Sequence, residues 1–381
     1  MPWFMREVYT LDSRRSICSS AASRQSVEHV ITCGFRPGFV IRKAVDFLCQ
    51  QVGTNGAWSD FATRSSGEST SWVTAHVLLR AGMELPKEVV DRAVTALVSE
   101  KYPVGGWGFS PRTPPDCDST VHALGALLAS CEKKETLTEM IDRGLSFILS
   151  HQQRDGGFST YLSGASLAEY RRREDENDFS GWTQSHACVT AGVLELLNQM
   201  SAGSEAPALR ATIFLLERQH PRGYWQSFWW RSPHFATARV IPLLASSSSP
   251  ASRRAANLAV QWLLGSQRSE GFWTGALDSD VPCVLSTALC TEALVKIGCA
   301  PERAQCAVEW LVHAQLRDGS WPTDPCLQIP SVDQLSPEVY PDWRMGGVGV
   351  GACCRDRRGI YTAGAVIGAL STFLRGARRD L

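Results

Sequence analysis

At 381 residues the chain can bury a large core, as one big domain or two small ones. Its 38 basic and 38 acidic residues cancel, which argues against nucleic acid as the main partner, because no net positive field collects phosphates. No apolar run approaches the roughly 20 residues needed to span a bilayer, the start Met1-Pro2-Trp3-Phe4-Met5-Arg6-Glu7 lacks the basic-then-apolar layout of a signal peptide, and the thirteen cysteines are scattered and mostly set in apolar runs, as in a reduced, cytoplasmic protein.

Residues 1–38 are polar, rich in Ser and Arg, and carry no sustained period. They are expected to form an arm, with residues 39–381 making a single domain. From Ile41 onward one unit recurs. It opens with an amphipathic helix (Ala44-Val45-Asp46-Phe47-Leu48-Cys49-Gln50-Gln51), passes a glycine turn ending in an aromatic (Asn55-Gly56-Ala57-Trp58), and closes with a more apolar helix carrying a Thr-Ala pair (Trp72-Val73-Thr74-Ala75-His76-Val77). The turn aromatics are Trp58, Trp107, Phe158, Trp225, Trp273 and Trp321, spaced by 49, 51, 67, 48 and 48 residues. The matching alanines are Ala75, Ala123, Ala191, Ala238, Ala288 and Ala363. Six helical hairpins at this period must stack to hide their apolar second helices. A closed ring is favoured over an open solenoid, because those helices are apolar on most sides, and no sheet larger than a hairpin is expected.

In the second copy, Asp116-Cys117-Asp118-Ser119-Thr120 stands between the turn Arg112-Thr113-Pro114-Pro115 and the apolar run Val121 to Leu128. Alone, such a stretch commonly just caps a helix. Two carboxyls two residues apart also suit acid chemistry, since one holds a proton while its neighbour opposes a second charge. Two copies are enlarged between turn and second helix, to spans of 32 residues from Phe158 to Thr190 and 41 from Trp321 to Thr362, against 12 to 16 elsewhere. Both insertions therefore hang over the end of the hairpins where Asp116 and Asp118 lie. The first holds Glu169-Tyr170-Arg171-Arg172-Arg173-Glu174-Asp175-Glu176, read as a solvated loop, and the second holds Trp343-Arg344 and Arg355-Asp356-Arg357-Arg358.

Four turns read Gln-x-x-x-Gly-x-Trp or nearly so: Gln153 to Phe158, Gln219 to Trp225, Gln267 to Trp273 and Gln315 to Trp321. Glycine permits the left-handed backbone that ends the first helix, and a Gln amide can tie that end to the next helix start. These turns resemble the QW repeats of the squalene-hopene cyclase and terpene cyclase superfamily, over about residues 40 to 376. The resemblance implies an all-α fold, one α6/α6 barrel of six hairpins, where the triterpene enzymes carry two. Asp116-Cys117-Asp118-Ser119-Thr120 resembles the DxD-Ser/Thr-Thr form of the family's class II acid motif. That resemblance assigns the proton donor to Asp118 and its supporting carboxyl to Asp116. It also implies a prenyl substrate and no required cofactor, with Mg²⁺ expected only beside a diphosphate. Contact with a membrane surface and the oligomeric state stay open.

The repeat adds positions of its own. Asp118 precedes Ala123 by five residues, and the same offset elsewhere gives Thr70, His186, Pro233, Cys283 and Arg358, a ring where the inner helices begin. His186, on the next inner helix, is then expected within hydrogen-bond reach of Asp118 as its orienting partner. Arg358 is expected to clamp an anion such as a diphosphate. The inner-helix N-termini favour a carboxylate there, burial favours the carboxylic acid, and sequence leaves the winner open. Trp72, Trp182, Phe228, Trp229, Trp230, Phe235 and Tyr361 stand at or just before inner helices, and about half are expected to line a carbocation pocket.

The leading reading is a class II terpene cyclase-like isomerase in which Asp118 protonates an alkene. Three alternatives stand beside it. One is a barrel lyase or isomerase acting on a smaller alkene or alcohol. Another is a protein prenyltransferase subunit, disfavoured because Gly359-Ile360-Tyr361-Thr362-Ala363-Gly364 offers no zinc-binding His. The third is a non-catalytic binder of hydrophobic ligands.

Overall fold

The computed structural model describes residues 36–63, 67–130, 137–171, 178–200, 205–339 and 342–379. All but the last three residues of the expected N-terminal arm, and most of the Arg-rich run at 171–176, lie outside the described residues. In chain order the helices are α1 (Pro37–Gln51), α2 (Ser71–Ala81), α3 (Lys87–Ser99), α4 (Cys117–Ser130), α5 (Thr138–Ser150), α6 (Gly164–Arg171), α7 (Ser180–Thr183), α8 (Ala187–Met200), α9 (Glu205–Glu217), α10 (Pro233–Ala245), α11 (Pro250–Ser266), α12 (Val284–Lys296), α13 (Pro301–His313) and α14 (Ile360–Arg379).

Two kinds of helix alternate, and their burial follows their composition. The amphipathic α3 buries only Ala93, Ala96 and Leu97, whereas α12 buries every residue from Val284 to Leu294. The apolar helices α2, α4, α8, α10, α12 and α14 each pack on the next, and α14 packs back on α2. They form a closed inner ring, with α1, α3, α5, α9, α11 and α13 outside it. Ile360–Ala377 of α14 is long and apolar enough to cross a membrane, yet 67% of it is buried within the protein as part of this inner ring.

The turn motif does its work through hydrogen bonds. In five copies the indole N–H donates to a leucine carbonyl ten residues earlier, from Trp58 to Leu48 at 2.8 Å through Trp321 to Leu311 at 2.8 Å. Those carbonyls lie in the last turn of an outer helix, where intrahelical N–H partners run out. The turn aromatic's own backbone N–H donates to a threonine hydroxyl of the following inner helix, at Thr74, Thr120, Thr190, Thr237 and Thr287. The Gln amides of residues 152, 219, 267 and 315 each bond the turn glycine carbonyl and a carbonyl of the next outer helix or its lead-in. In the third copy that residue is Gln152, not the Gln153 expected from sequence, because Gln152 stands four residues before Gly156, the turn glycine with φ +87°.

Gln315 closes the circle, reaching Val40 O of α1 at 2.9 Å. Gly319 in the same turn has φ +94°, and a Cβ there would meet Lys43 O at 2.3 Å. Gly319→Ala is therefore expected to destabilise the fold by about 1–3 kcal/mol, measured by urea or thermal unfolding.

What sheet there is among the described residues lies between the turn aromatics and the inner helices. Hairpins β1 (Asp60–Thr63)–β2 (Gly67–Ser69) and β3 (Trp107–Gly108)–β4 (Pro115–Asp116) are joined by a three-stranded sheet ordered β5 (Pro325–Ile329), β7 (Ala352–Arg355), β6 (Arg344–Met345). The last exceeds the hairpin expected from sequence. The two insertions meet over the barrel mouth: Trp182 of α7 donates its indole N–H to Pro330 O at 3.1 Å, and Gln184 donates to Leu335 O at 2.9 Å. Leu327 of β5 also bridges to Trp230.

Candidate active site

The acid stretch is placed by the repeat and fixed by its own side chains. Trp107 and Asp116 pair across β3–β4, and Cys117 N–H donates to Thr160 O at 2.9 Å. Asp116 then caps α4, accepting the Ser119 N–H on Oδ1 and the Ser119 hydroxyl on Oδ2, both at 2.7 Å. It is 3% exposed, and burial pushes its carboxyl up to about 7, with the Asp118 charge adding to the rise and the Ser119 donors opposing it. At Asp116, burial outweighs the helix N-terminus.

Asp118, half a turn on, is more open. Its Oδ2 accepts the Trp72 indole N–H at 3.2 Å. One turn later on the same helix, His122 donates from Nδ1 to Asp118 O at 2.8 Å and lies 3.8 Å from Asp118 Oδ1. Burial lowers the His122 pKa, against the pull of Asp118. Both carboxyls border a pocket of about 120 Å³. Trp72, Trp182, Trp229 and Trp230 line it as sequence proposed, joined by Phe109 and Tyr161 and roofed by Leu327 and Ile329 of β5.

Phe235 and Tyr361 lie one layer deeper than expected. Tyr361 stacks on Trp72 at 4.8 Å and Phe235 on Trp230 at 4.0 Å. Both rings border a second cavity of about 210 Å³ inside the barrel, crossed by ion pairs of Arg239 with Glu195, Lys296 with Glu292, and Arg80 with Glu292. An aromatic layer thus separates an acid pocket from a charged one.

Two ring positions are corrected. His186 does not partner Asp118: its Nδ1 lies 2.9 Å from Thr160 Oγ1 and its Nε2 2.9 Å from Gly181 O, so both nitrogens are taken. Arg358 is not free to clamp an anion. Its guanidinium makes a two-pronged pair with Glu68 at 2.8 and 3.0 Å and bonds Ser59 at 2.8 Å. The cause in both cases is register. The threonines that accept the turn N–H align Asp116, not Asp118, with Thr70, His186, Pro233 and Cys283, and Thr362, four residues after Arg358, puts Arg358 in the same register. Asp118 aligns instead with Trp72, Cys188 and Phe235, deeper along the helices. Arg358→Ala should therefore cost at most about 1 kcal/mol, as an exposed pair does, and should change KM equally for a prenyl diphosphate and its alcohol.

A second buried carboxyl pair went unnoticed in the sequence. Asp60 accepts backbone N–H from Phe61, Arg357 and Arg358, and Asp356 accepts them from Tyr361 and Thr362. Burial and the neighbouring Asp60 hold the Asp356 carboxyl well above its usual range, and the pair moors β1–β2 to the start of α14. Among the described residues no three His, Cys, Asp or Glu side chains converge as metal ligands.

Comparison with known proteins agrees with this geometry. A 26% identical match over 231 residues links the chain to ent-copalyl diphosphate synthase of Streptomyces sp. (strain KO-3988), covering 60% of this chain and 39% of that protein. Squalene–hopene cyclase of Bradyrhizobium diazoefficiens matches at 25% over 265 residues, 63% of this chain and 39% of its own length. The chain thus spans about two-fifths of these curated relatives. Among solved structures, the type II terpene cyclase MstE from Scytonema superposes with a TM-score of 0.80 at 25% identity, covering 90% of this chain and 99% of that one. A protein from Actinoplanes gives 0.78 at 29%, covering 89% and 99%. Residues 85–280 and 231–327 match the model of the squalene-hopene cyclase C-terminal domain, more than half of the chain, and the chain belongs to that family.

Proposed function

We propose that this chain is a class II terpene cyclase, in which Asp118 protonates an alkene of a prenyl chain and the pocket folds the cation into rings. The observation that carries the reading is the carboxyl pair itself. Its buried member keeps a proton up to about pH 7, and both members border a pocket that four tryptophans, Phe109 and Tyr161 also line. Proton delivery breaks the Asp118 O–H bond while the alkene π pair forms a C–H bond. The cation left behind is attacked by the next alkene, loss of a proton from carbon to solvent ends the sequence, and the Asp118 carboxylate takes a proton back from solvent. Ring faces stabilise the cation without adding to it, and the joined insertions over the mouth favour exclusion of water that would quench it.

The acid belongs to the chain, so the reaction as proposed needs no cofactor; Mg²⁺ would enter only with a diphosphate. Relatives named for copalyl diphosphate, and MstE in complex with geranylgeranyl dihydroxybenzoate as substrate, support a long prenyl chain with either a diphosphate or an aromatic head group. Free thiols such as Cys117, Cys188, Cys283 and Cys290 favour the cytoplasm as the setting. The test is incubation with geranyl, farnesyl and geranylgeranyl diphosphates, the corresponding alcohols, and geranylgeranyl dihydroxybenzoate, followed by product analysis. A cyclic isomer from one of them is the expected result, and none from all of them rejects the reading.

A further inference from the structure

His186 stands in the ring that holds Asp116, yet its contacts lead to Thr160 and Trp229, two lining residues of the pocket. Nε2 lies 2.9 Å from Gly181 O, Nδ1 lies 2.9 Å from Thr160 Oγ1, and the Trp229 indole nitrogen lies 2.7 Å from that same hydroxyl. One proton arrangement satisfies all three. A carbonyl only accepts, so Nε2 carries the hydrogen. The ring is fully buried and neutral, its pKa pushed by burial to about 3, so Nδ1 offers a lone pair. Thr160 must then donate to Nδ1, which leaves its oxygen to accept the indole N–H. The imidazole cannot easily turn, since Phe228 stacks on it at 3.8 Å and 16° while Trp229 meets it edge-on at 5.9 Å. Thr160 and Trp229 border the acid pocket; His186 stands behind them.

We infer that His186 is a positioning residue that governs product choice: through Thr160 it fixes the Trp229 ring on the pocket wall, and so selects which carbon of the cation meets a π surface. This rests on the cyclase reading. A ring face stabilises only the charge it is aimed at, so tilting it redistributes the cation among competing closures without disabling the acid.

The test uses the full chain labelled with ¹⁵N-tryptophan, the Trp229 indole N–H resonance being identified by its loss in Trp229→Phe. Thr160→Val keeps the shape without the hydroxyl, and His186→Phe keeps the stacking without the nitrogens. Both are expected to move that resonance and to change the ratio of major to minor cyclic products by about threefold or more. Thr160→Ser and His186→Gln retain the donor–acceptor order, so they should hold the resonance in place and move the ratio less than about twofold. An unmoved resonance in Thr160→Val and His186→Phe would remove the relay. A moved resonance with an unchanged product ratio would remove the steering role. Either result overturns the inference while leaving the cyclase reading intact. A wild-type chain that forms no cyclic product overturns that reading, and the inference with it.

Discussion

Asp118→Asn is expected to leave the barrel folded and to lower turnover by about 10²–10⁴-fold or more. The amide keeps the shape of the side chain and can still accept the Trp72 indole N–H. It has no proton to give to carbon. The loss should exceed that seen when a general acid merely assists, because the other carboxyl on the pocket, Asp116, has both oxygens engaged by Ser119. Running the wild-type reaction in deuterated water should place one deuterium on the carbon that received the proton. An unlabelled cyclic product, or a folded Asp118→Asn variant with normal turnover, would sink acid initiation altogether.

The second large effect is on pH dependence and belongs to Asp116. Its carboxyl is raised in the folded state to about 7, from 3.8 when unperturbed. Folded protein therefore holds a proton that unfolded chain has lost. The stability tied to that proton is fully present below the unfolded value and disappears as pH rises through about 7, a swing on the order of 4 kcal/mol. His186 and His234, both depressed by burial to about 3, act with the opposite sign as pH falls below about 6.5. The difference between wild type and Asp116→Asn separates the two, because the amide removes only the first. Its advantage over wild type in urea unfolding should grow between about pH 4 and 7. Turnover should follow the same group. A negative charge on Asp116 opposes growth of a second carboxylate beside it, so kcat should fall above about pH 7 in wild type and hold steadier in Asp116→Asn. Parallel profiles for the two proteins would show that Asp116 is only a helix cap.

The barrel was legible because one physical rule repeats: an apolar helix that cannot face water must find two like neighbours. Period, turn aromatics and insertion sites all follow from it. The site was legible where chemistry is local, as in two carboxyls and a serine within four residues. It was lost where register or distant pairing decides. Ala123 looked like the counterpart of Ala75, but Thr120 is the residue that accepts the turn N–H, and Val121 follows it. That slip of two residues moved His186 and Arg358 beside the wrong aspartate. Glu68, which engages Arg358, lies 290 residues away, beyond any spacing argument. The three-stranded sheet hid for the same reason, since Pro325–Ile329 has no alternation strong enough to announce a partner 25 residues on. His122 was within reach of sequence reasoning, being one helical turn beyond Asp118.

The amide of Gln315 on the Val40 carbonyl has a meaning for how this molecule comes apart. An open array of hairpins can fray from its ends, shedding one unit while the rest persist. Here each unit is held on both sides, so none is terminal and removal of any one bares an apolar flank on two neighbours. Hydrogen exchange from the cores of α2 and α14, first and last of the inner helices, should then proceed at rates like those of α8 and α10, through a single global opening.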